Sequence, residues 1–484
     1  MAVKRAPTFG ESITSLLILA FFIVVGCLIM KLRIEMMMIF ATIGVAFLAM
    51  RLGMTWNEIE DAISNKIKMA IPVLLLMISV GLVIAAFMYS GSIPMLLYYG
   101  IKWISPEYLY VSAMIGCMIT SLATGTSWGS IGTMGVTMMG IAAGLGLPLD
   151  ITAGACLCGA VFGDKLSPMS ETTNLAPLCA GSTLYEHIYS LLYTTLPGTI
   201  VAFVVFYMVG SNISAGGAAI PENAVATMAT LGKIYSWNVI LLLPFLIILF
   251  CALKKYPAVP TMLAASLTAV ALGFAYQGFD LAKGIQACVF GFKVNMIYAD
   301  QVTKDIMTLL NRGGMTSMIN VILIVFFGYS YAGIVTKTGM LETALRPIAN
   351  GIKSTFSLII STLVTMFFLF GAVGSAYAPF LITGDMYRKI YAEKGIRLNV
   401  LSRCLEDIGT IIGQFMPWSA TGMFYASTLG LSIFGDGGYA PWVILGYASP
   451  IMAVICAATG FGIFKMSKEE QEKEMKKLEE LEAK

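Results

Sequence analysis

One stretch of the sequence gathers side chains that can hold a small cation or a proton. Residues 159–181, GAVFGDKLSPMSETTNLAPLCAG, place Asp164, Lys165, Ser167, Ser170, Glu171, Thr172, Thr173 and Asn174 around Pro168, with apolar segments on both sides. A charged side chain at the centre of a bilayer costs about 2.5–3.5 kcal/mol on insertion scales, so three of them cannot face lipid. Pro168 lacks a backbone donor and obstructs the preceding turn, which predicts a break instead of one straight helix. Broken, oxygen-rich backbone at membrane depth persists only where it is buried in protein or lines a water-filled cavity. A hard cation such as Na+ takes oxygen ligands, and a carboxylate supplies the charge that offsets its lost water. Asp164 is the first candidate for that role, with Ser170, Thr172, Thr173, Asn174 and freed carbonyls completing the shell. The same carboxylate can hold a proton instead, and competition between the two would couple their movements. The structural alternative is an Asp164–Lys165 charge pair that only orients the hairpin, although neighbours in sequence do not face each other on a helix.

A second stretch, residues 403–421, offers a comparable set. Asp407, Thr410 and Gln414 recur at i, i+3 and i+7, one face of a helix, and Glu406 adds a carboxylate beside them. Gly409 and Gly413 form a small-xxx-small pair that admits close backbone approach. Arg403 stands four residues before Asp407, so a structural salt bridge competes with a cation-binding role. Upstream of each stretch lies a polar kink: Thr126 and Ser127 in TSWGS, and Ser375 in GSAY. Their hydroxyls and unwound carbonyls can face the cation from the other side, or bond back to their own helix.

The elements that must position these residues are membrane spans. The chain has 484 residues, of which 58% are hydrophobic and 12% charged, with a mean hydropathy of +0.83. Soluble domains carry about 25% charged residues, so the composition is that of a membrane protein. A net charge of +3 without a basic stripe gives no footprint for nucleic acid. The nine cysteines are scattered through apolar runs and read as small buried hydrophobes, and Cys156-x-Cys158 has no second pair to complete a metal site. Gly125-Thr-Ser127-Trp-Gly129 matches the G-x-S-x-G elbow of hydrolases, but that motif needs a strand, a soluble sheet and a triad histidine. Here the flanks are apolar spans and the single histidine, His187, begins a later span, where it reads as an interfacial cap. No zinc-protease, Walker or dinucleotide motif is present. The expectation is a transporter, with no enzymatic activity and no organic cofactor.

Residues 13–30 are long enough to span and end at Lys31 and Arg33 in place of a small-residue cleavage site, so they read as a retained first span. Further apolar runs are 36–49, 71–90, 108–124, 131–147, 151–162 and 188–209. After a polar connector, 211–230, come 239–253, 262–276, 319–335, 356–373, 398–415, 423–433 and 442–464. Several are short or interrupted by Gly and Pro, as half-helices and hairpins are. Segments 55–68 and 279–292 read as interfacial helices, and the Lys/Glu-rich tail from 467 as a solvated one.

The two halves repeat. ATGTSW from Ala123 resembles AVGSAY from Ala372, and PMSET from Pro168 resembles PWSAT from Pro417, both at a separation of 249 residues (123 to 372, 168 to 417). Residues 145–150 hold no Lys or Arg, whereas the counterpart, roughly 384–403, holds five. Under the positive-inside rule equivalent loops then lie on opposite sides of the membrane. The fold expected is an all-α polytopic membrane protein of two inverted-topology repeats with broken helices and re-entrant hairpins, residues 1–232 and 233–465, followed by a charged tail, 466–484. Both termini would be cytoplasmic, with 211–230 outside; Lys283, Lys293, Lys304 and Arg312 fit that scheme poorly.

GTSWGSIGTMGV (125–136) and TAGACLCGAVFGDKLSPMSETTNLAP (152–177) resemble the NhaC family of sodium/proton antiporters, as do LNRGGM (310–315), LEDIGT (405–410) and MPWSATG (416–422). The resemblance covers most of the chain except the tail; Gln414 and Ser419 depart from the pattern it leads one to expect. It implies exchange of Na+ for H+ across the cytoplasmic membrane, a homodimer embedded in lipid, and an inverted-repeat fold. It carries a site role to Asp164, Ser167, Ser170, Thr172, Thr173 and Asn174, and to Glu406, Asp407, Thr410, Ser419 and Thr421. Some relatives also carry a small organic anion, which Arg403 or the half-helix ends near Ser127 and Ser375 would hold here.

Overall fold

A computed structural model describes residues 5–214, 222–254, 256–298, 300, 302–350 and 352–482, so residues 215–221 of the 211–230 connector lie outside the described residues. The chain is helical, and among the described residues the only β-bridge joins Ile396 to Lys465. The first half runs α1 (Phe9–Phe21), α2 (Ile34–Arg51), α3 (Trp56–Ser90), α4 (Ser92–Trp103) and α5 (Leu109–Thr124). It continues with α6 (Ser127–Ser130), α7 (Val136–Gly144), α8 (Leu149–Leu166), α9 (Glu171–Ala180) and α10 (Leu184–Ser214). Then follow α11 (Glu222–Ile234), α12 (Leu243–Leu253), α13 (Ala258–Ala275), α14 (Leu281–Phe290), α15 (Lys304–Leu310), α16 (Ile319–Lys337) and α17 (Met340–Asn350). The last are α18 (Thr355–Val373), α19 (Tyr377–Glu393), α20 (Leu398–Gly409), α21 (Ala420–Leu429), α22 (Ile444–Thr459) and α23 (Lys468–Glu482).

Seven described helices are long and apolar enough to cross a membrane, and α11 with the following helix makes a further span only as a pair bent by 100°. Their outward faces carry Leu17, Phe47, Leu267 and Phe274, all more than half exposed, as lipid-facing side chains are. The protein is therefore an all-α polytopic membrane protein. Helices α9 and α21 have 10 residues each, about 15 Å at 1.5 Å per residue, half of a hydrocarbon core of about 30 Å.

Matching elements keep the register of the sequence repeat. The starts of α1 and α13, α8 and α20, and α9 and α21 are 249 residues apart, as are the ends of α5 and α18 (9 to 258, 149 to 398, 171 to 420, 124 to 373). The caps match too. A left-handed glycine ends α5 and α18, at Gly125 and Gly374, and a serine hydroxyl caps α9 and α21, at Ser170 and Ser419.

Two expectations are corrected. Residues 55–68 are not a separate interfacial helix. Thr55 and Glu58 form a capping box, and the helix they open runs on through Pro72 to Ser90. The face drawn through Asp407, Thr410 and Gln414 does not exist either, because α20 stops at Gly409 and Gln414 lies in a separate 3₁₀ turn.

Candidate functional site

Helix α8 delivers Asp164. It packs along α5 so closely that the backbone at Met114, Met118 and Leu122 leaves no room for a Cβ at Gly159 or Gly163. Small residues let the two backbones meet. The helix ends one turn beyond, at Leu166. Ser167 closes the turn by donating to Leu122 O (2.9 Å), and Ser170 caps α9. Opposite, α5 ends at Gly125, whose φ of +68° favours glycine and whose Cβ would meet the Met169 backbone at 2.7 Å.

These breaks bring Ser127 and Ser170 onto the Asp164 carboxylate. Oδ2 accepts from the Ser127 hydroxyl (2.6 Å) and the Ser127 backbone N–H (3.2 Å), and Oδ1 accepts from the Ser170 hydroxyl (2.6 Å). The Ser127 N–H belongs to the first turn of α6, where backbone donors point outward and negative charge is favoured. Ser170 Oγ also lies 3.1 Å from Thr172 Oγ1.

Asp164 forms part of the wall of a cavity of about 310 Å³. The first half contributes Thr126, Ser127, Ser170, Glu171 and Thr172. The second contributes Ser375, Thr410, Thr421 and the tyrosines 329, 377 and 425. Across it the Trp128 and Phe424 rings stack at 4.6 Å and 11°, tying α6 to α21.

Of the expected site residues, Thr173, Asn174, Ser419, Glu406 and Asp407 lie off this wall. Thr173 donates to the Asp164 carbonyl (2.9 Å), and Asn174 donates to Pro168 O and Ser170 O (2.9 and 2.6 Å), so both brace the hairpin. Ser419 braces the matching hairpin by donating to Gly413 O (2.6 Å). Thr410 donates back to Glu406 O (2.8 Å) while lining the cavity. Glu406 is fully buried, and neither carboxylate oxygen has a hydrogen-bond partner among the described residues.

Neither charge pair expected from local spacing forms. Lys165, beside Asp164 in sequence, turns away to Asp407, with Nζ 2.7 Å from Oδ1 and both side chains fully buried. Thr194 and Ser449 each donate to the same oxygen at 2.9 Å, and Lys165 donates to Ser449 at 3.0 Å. Arg403 does not reach Asp407. Its Nη1 donates to the Gly462 and Ser190 carbonyls (2.9 and 3.4 Å), and Arg403 does not line the cavity beside Asp164. His187 is not interfacial but fully buried, with Nδ1 2.9 Å from Ser402 Oγ. Sequence reasoning missed Thr194 and Ser449, hydroxyls within largely apolar spans, and the tyrosines of the wall. Of these only Tyr377 lay in a flagged motif.

The sequence model of the Na+/H+ antiporter family matches residues 159–461. An uncharacterized Na+/H+ antiporter of Haemophilus influenzae is 41% identical over 96% of this chain and 98% of its own length. The Na+/H+ antiporter NhaC of Alkalihalophilus pseudofirmus is 32% identical, with the same shares covered. A malate-2H+/Na+-lactate antiporter of Bacillus subtilis is 30% identical over 94% of this chain and 96% of its own.

Proposed function

The chain belongs to the Na+/H+ antiporter family, and we propose that it exchanges Na+ for H+ across the cytoplasmic membrane with Asp164 as the shared binding group. One observation carries the reading: the Asp164 carboxylate faces a cavity lined by both halves, and its hydrogen-bond partners are the hydroxyls of Ser127 and Ser170 and one backbone N–H. Those hydroxyls donate to the carboxylate when it is charged and, rotated, present oxygen lone pairs to a cation. Thr126, Thr172, Ser375, Thr410 and Thr421 add oxygens around the same space. Thr173, Asn174 and Ser419 hold the two hairpins, while Glu406 and Asp407 stand behind the wall.

Coupling follows from charge. An ionised carboxylate stripped of water and counter-charge is too costly to carry through a closed intermediate. Either Na+ or H+ removes that cost, so the site changes its side only when loaded with one of them. A Na+ gradient then drives H+ the other way. The matched elements 249 residues apart, together with basic residues at 384–403 and none at 145–150, support two inverted repeats that enclose the site from opposite sides. Both termini are taken as cytoplasmic from that charge asymmetry, and the assembly as a homodimer from the family resemblance.

The test is reconstitution. In proteoliposomes with a pH-sensitive dye inside, an imposed Na+ gradient should move protons, and Asp164→Asn should abolish that movement in a protein that elutes as the parent does. Proton movement in the Asn variant at the parent's rate refutes the role of Asp164.

A further inference from the structure

Helices α10 and α20 meet along a row of polar side chains that stands apart from the cation cavity. Both helices run inward from the same end, and three contacts join them like rungs. His187 Nδ1 lies 2.9 Å from Ser402 Oγ, Arg403 donates to Ser190 O (3.4 Å), and Thr194 donates to Asp407 (2.9 Å). From His187 to Thr194 the ladder follows α10 for about 10 Å. Its outer end is close to the surface: Tyr185 and Arg397, two residues before His187 and Asn399, are exposed and partly exposed. The inner rung carries Lys165 on Asp407 and, beside it, Glu406, which borders Thr172 of the cavity wall.

Each rung leaves buried polar atoms over. Among the described residues, His187 Nε2 and Asn399 Oδ1 at the outer end have no hydrogen-bond partner. Neither do Ser190 Oγ, Arg403 Nε and Arg403 Nη2 at the middle rung, or Asp407 Oδ2 and both Glu406 oxygens at the inner one. All six residues are at most 5% exposed. Buried donors and acceptors seldom go unpaired, and those that no protein group meets are met by ordered water, each molecule making about three hydrogen bonds. Eight such atoms spread over three successive rungs call for a row of waters instead of a single one.

We propose that waters along this ladder carry protons to Asp164, by a path separate from the cavity through which Na+ reaches it. A proton passes along a row of waters by hopping, each oxygen accepting one proton as it releases another. Na+ would have to bring several oxygen ligands with it. The last hand-over is in place: Thr172 Oγ1 lies 3.1 Å from Ser170 Oγ, and Ser170 donates to Asp164 Oδ1 at 2.6 Å. Ser170 gives its proton to Oδ1 as it accepts one from Thr172, so no side chain along the path has to change charge. Lys165 and Arg403 are matched in number by Glu406 and Asp407, so no net positive charge opposes a proton in transit. On the orientation taken above, the outer end is cytoplasmic. The proposal rests on the antiport reading, in which Asp164 receives the proton.

Two transport modes separate the path from the site. Exchange of radiolabelled Na+ for Na+ at equal concentrations needs no proton, whereas Na+-driven H+ movement does. Asn399→Leu and His187→Phe keep nearly the same volume and remove the water-binding atoms at the outer end. In proteoliposomes each should slow H+ movement about 10-fold, the effect of one lost hydrogen bond in the row, and leave Na+/Na+ exchange at the parent's rate. X-ray footprinting of the full-length parent in detergent reads the water directly. Radicals formed from bound water should oxidise His187 despite its burial and spare Phe206, equally buried in the apolar core. Equal loss of both modes in the variants, or loss of neither, overturns the proposal. So does an unlabelled His187 in the parent, a result that needs no variant to fold. A parent that exchanges Na+ for Na+ but moves no protons would instead overturn the antiport reading, with the footprint still reporting whether the ladder holds water.

Discussion

The Lys165–Asp407 pair makes a quantitative claim about how the two halves are joined. The ammonium lies 2.7 Å from Oδ1, both side chains are fully buried, and the partners sit 242 residues apart on α8 and α20. At that separation and an effective dielectric constant of about 20, the attraction is about 6 kcal/mol. Taking two ions out of water costs several kcal/mol each, so the intact pair contributes little net stability. Removing one member is different, because the other stays buried without its counter-charge. Asp407→Asn keeps an acceptor for Thr194 and Ser449 but strands the ammonium, and Lys165→Met strands the carboxylate. Each should cost about 3–5 kcal/mol. The double variant Lys165→Met/Asp407→Asn strands neither charge and should be more stable than either single one, which gives a coupling energy of several kcal/mol. Unfolding in mixed micelles, followed by tryptophan fluorescence, measures all four proteins. A double variant destabilised by the sum of the two single effects would refute the pairing and, with it, the link between α8 and α20.

Three further predictions follow from the same geometry. Ser127→Ala removes one hydroxyl donor from Asp164 but leaves the backbone donor, so the apparent Na+ affinity should fall about 10- to 100-fold, with exchange still measurable at high Na+. Gly125→Ala forces a side chain into the left-handed region, at about 1–2 kcal/mol, and drives a Cβ at the Met169 backbone; loss of both stability and exchange is expected in the micelle and liposome assays. At the C-terminus, the Ser467 backbone N–H first, and then Arg397, hold Glu470 below the usual carboxylate range. A lowered value stabilises the docked α23 fully above the unfolded carboxylate value of about 4.3, and the contribution is lost as pH falls through the folded one. Proteolysis of α23 should therefore accelerate only in acid and stay constant from neutral to alkaline pH.

The cation cavity was legible because oxygen-bearing residues are out of place in an apolar chain. Asp164, Ser127 and Ser170 stood out for that reason, and the repeat register linked Thr126 to Ser375 and Thr172 to Thr421. Partner choice was not legible. Reasoning from spacing offers only neighbours on one helix, so the charge pairs it could weigh as alternatives were Asp164 with Lys165 and Arg403 with Asp407. In the fold, adjacent residues on α8 point about 100° apart, and each meets a different element. Thr194 and Ser449 went unnoticed because a hydroxyl within a membrane span reads the same whether it bonds to its own backbone or to a distant charge. The end of α20 at Gly409 was missed because that glycine was read only as a small residue admitting close backbone approach, although glycine also marks helix ends.

Where these charges go bears on mechanism. Lys165 is one residue from the site, yet its charge is spent on Asp407, while Arg403 is turned to the Gly462 and Ser190 carbonyls. Among the described residues no fixed cation bonds Asp164, whose partners are neutral donors only. A fixed counter-ion there would satisfy the carboxylate permanently and leave nothing for a transported ion to do. By committing the adjacent ammonium elsewhere, α8 leaves Asp164 to be neutralised by something that can depart, and the same ammonium ties the helix that carries the site to α20 in the other half. On the proposed antiport reading, the positioning of the carboxylate and its need for a mobile cation are thus set by two consecutive residues, Asp164 and Lys165, that meet different elements.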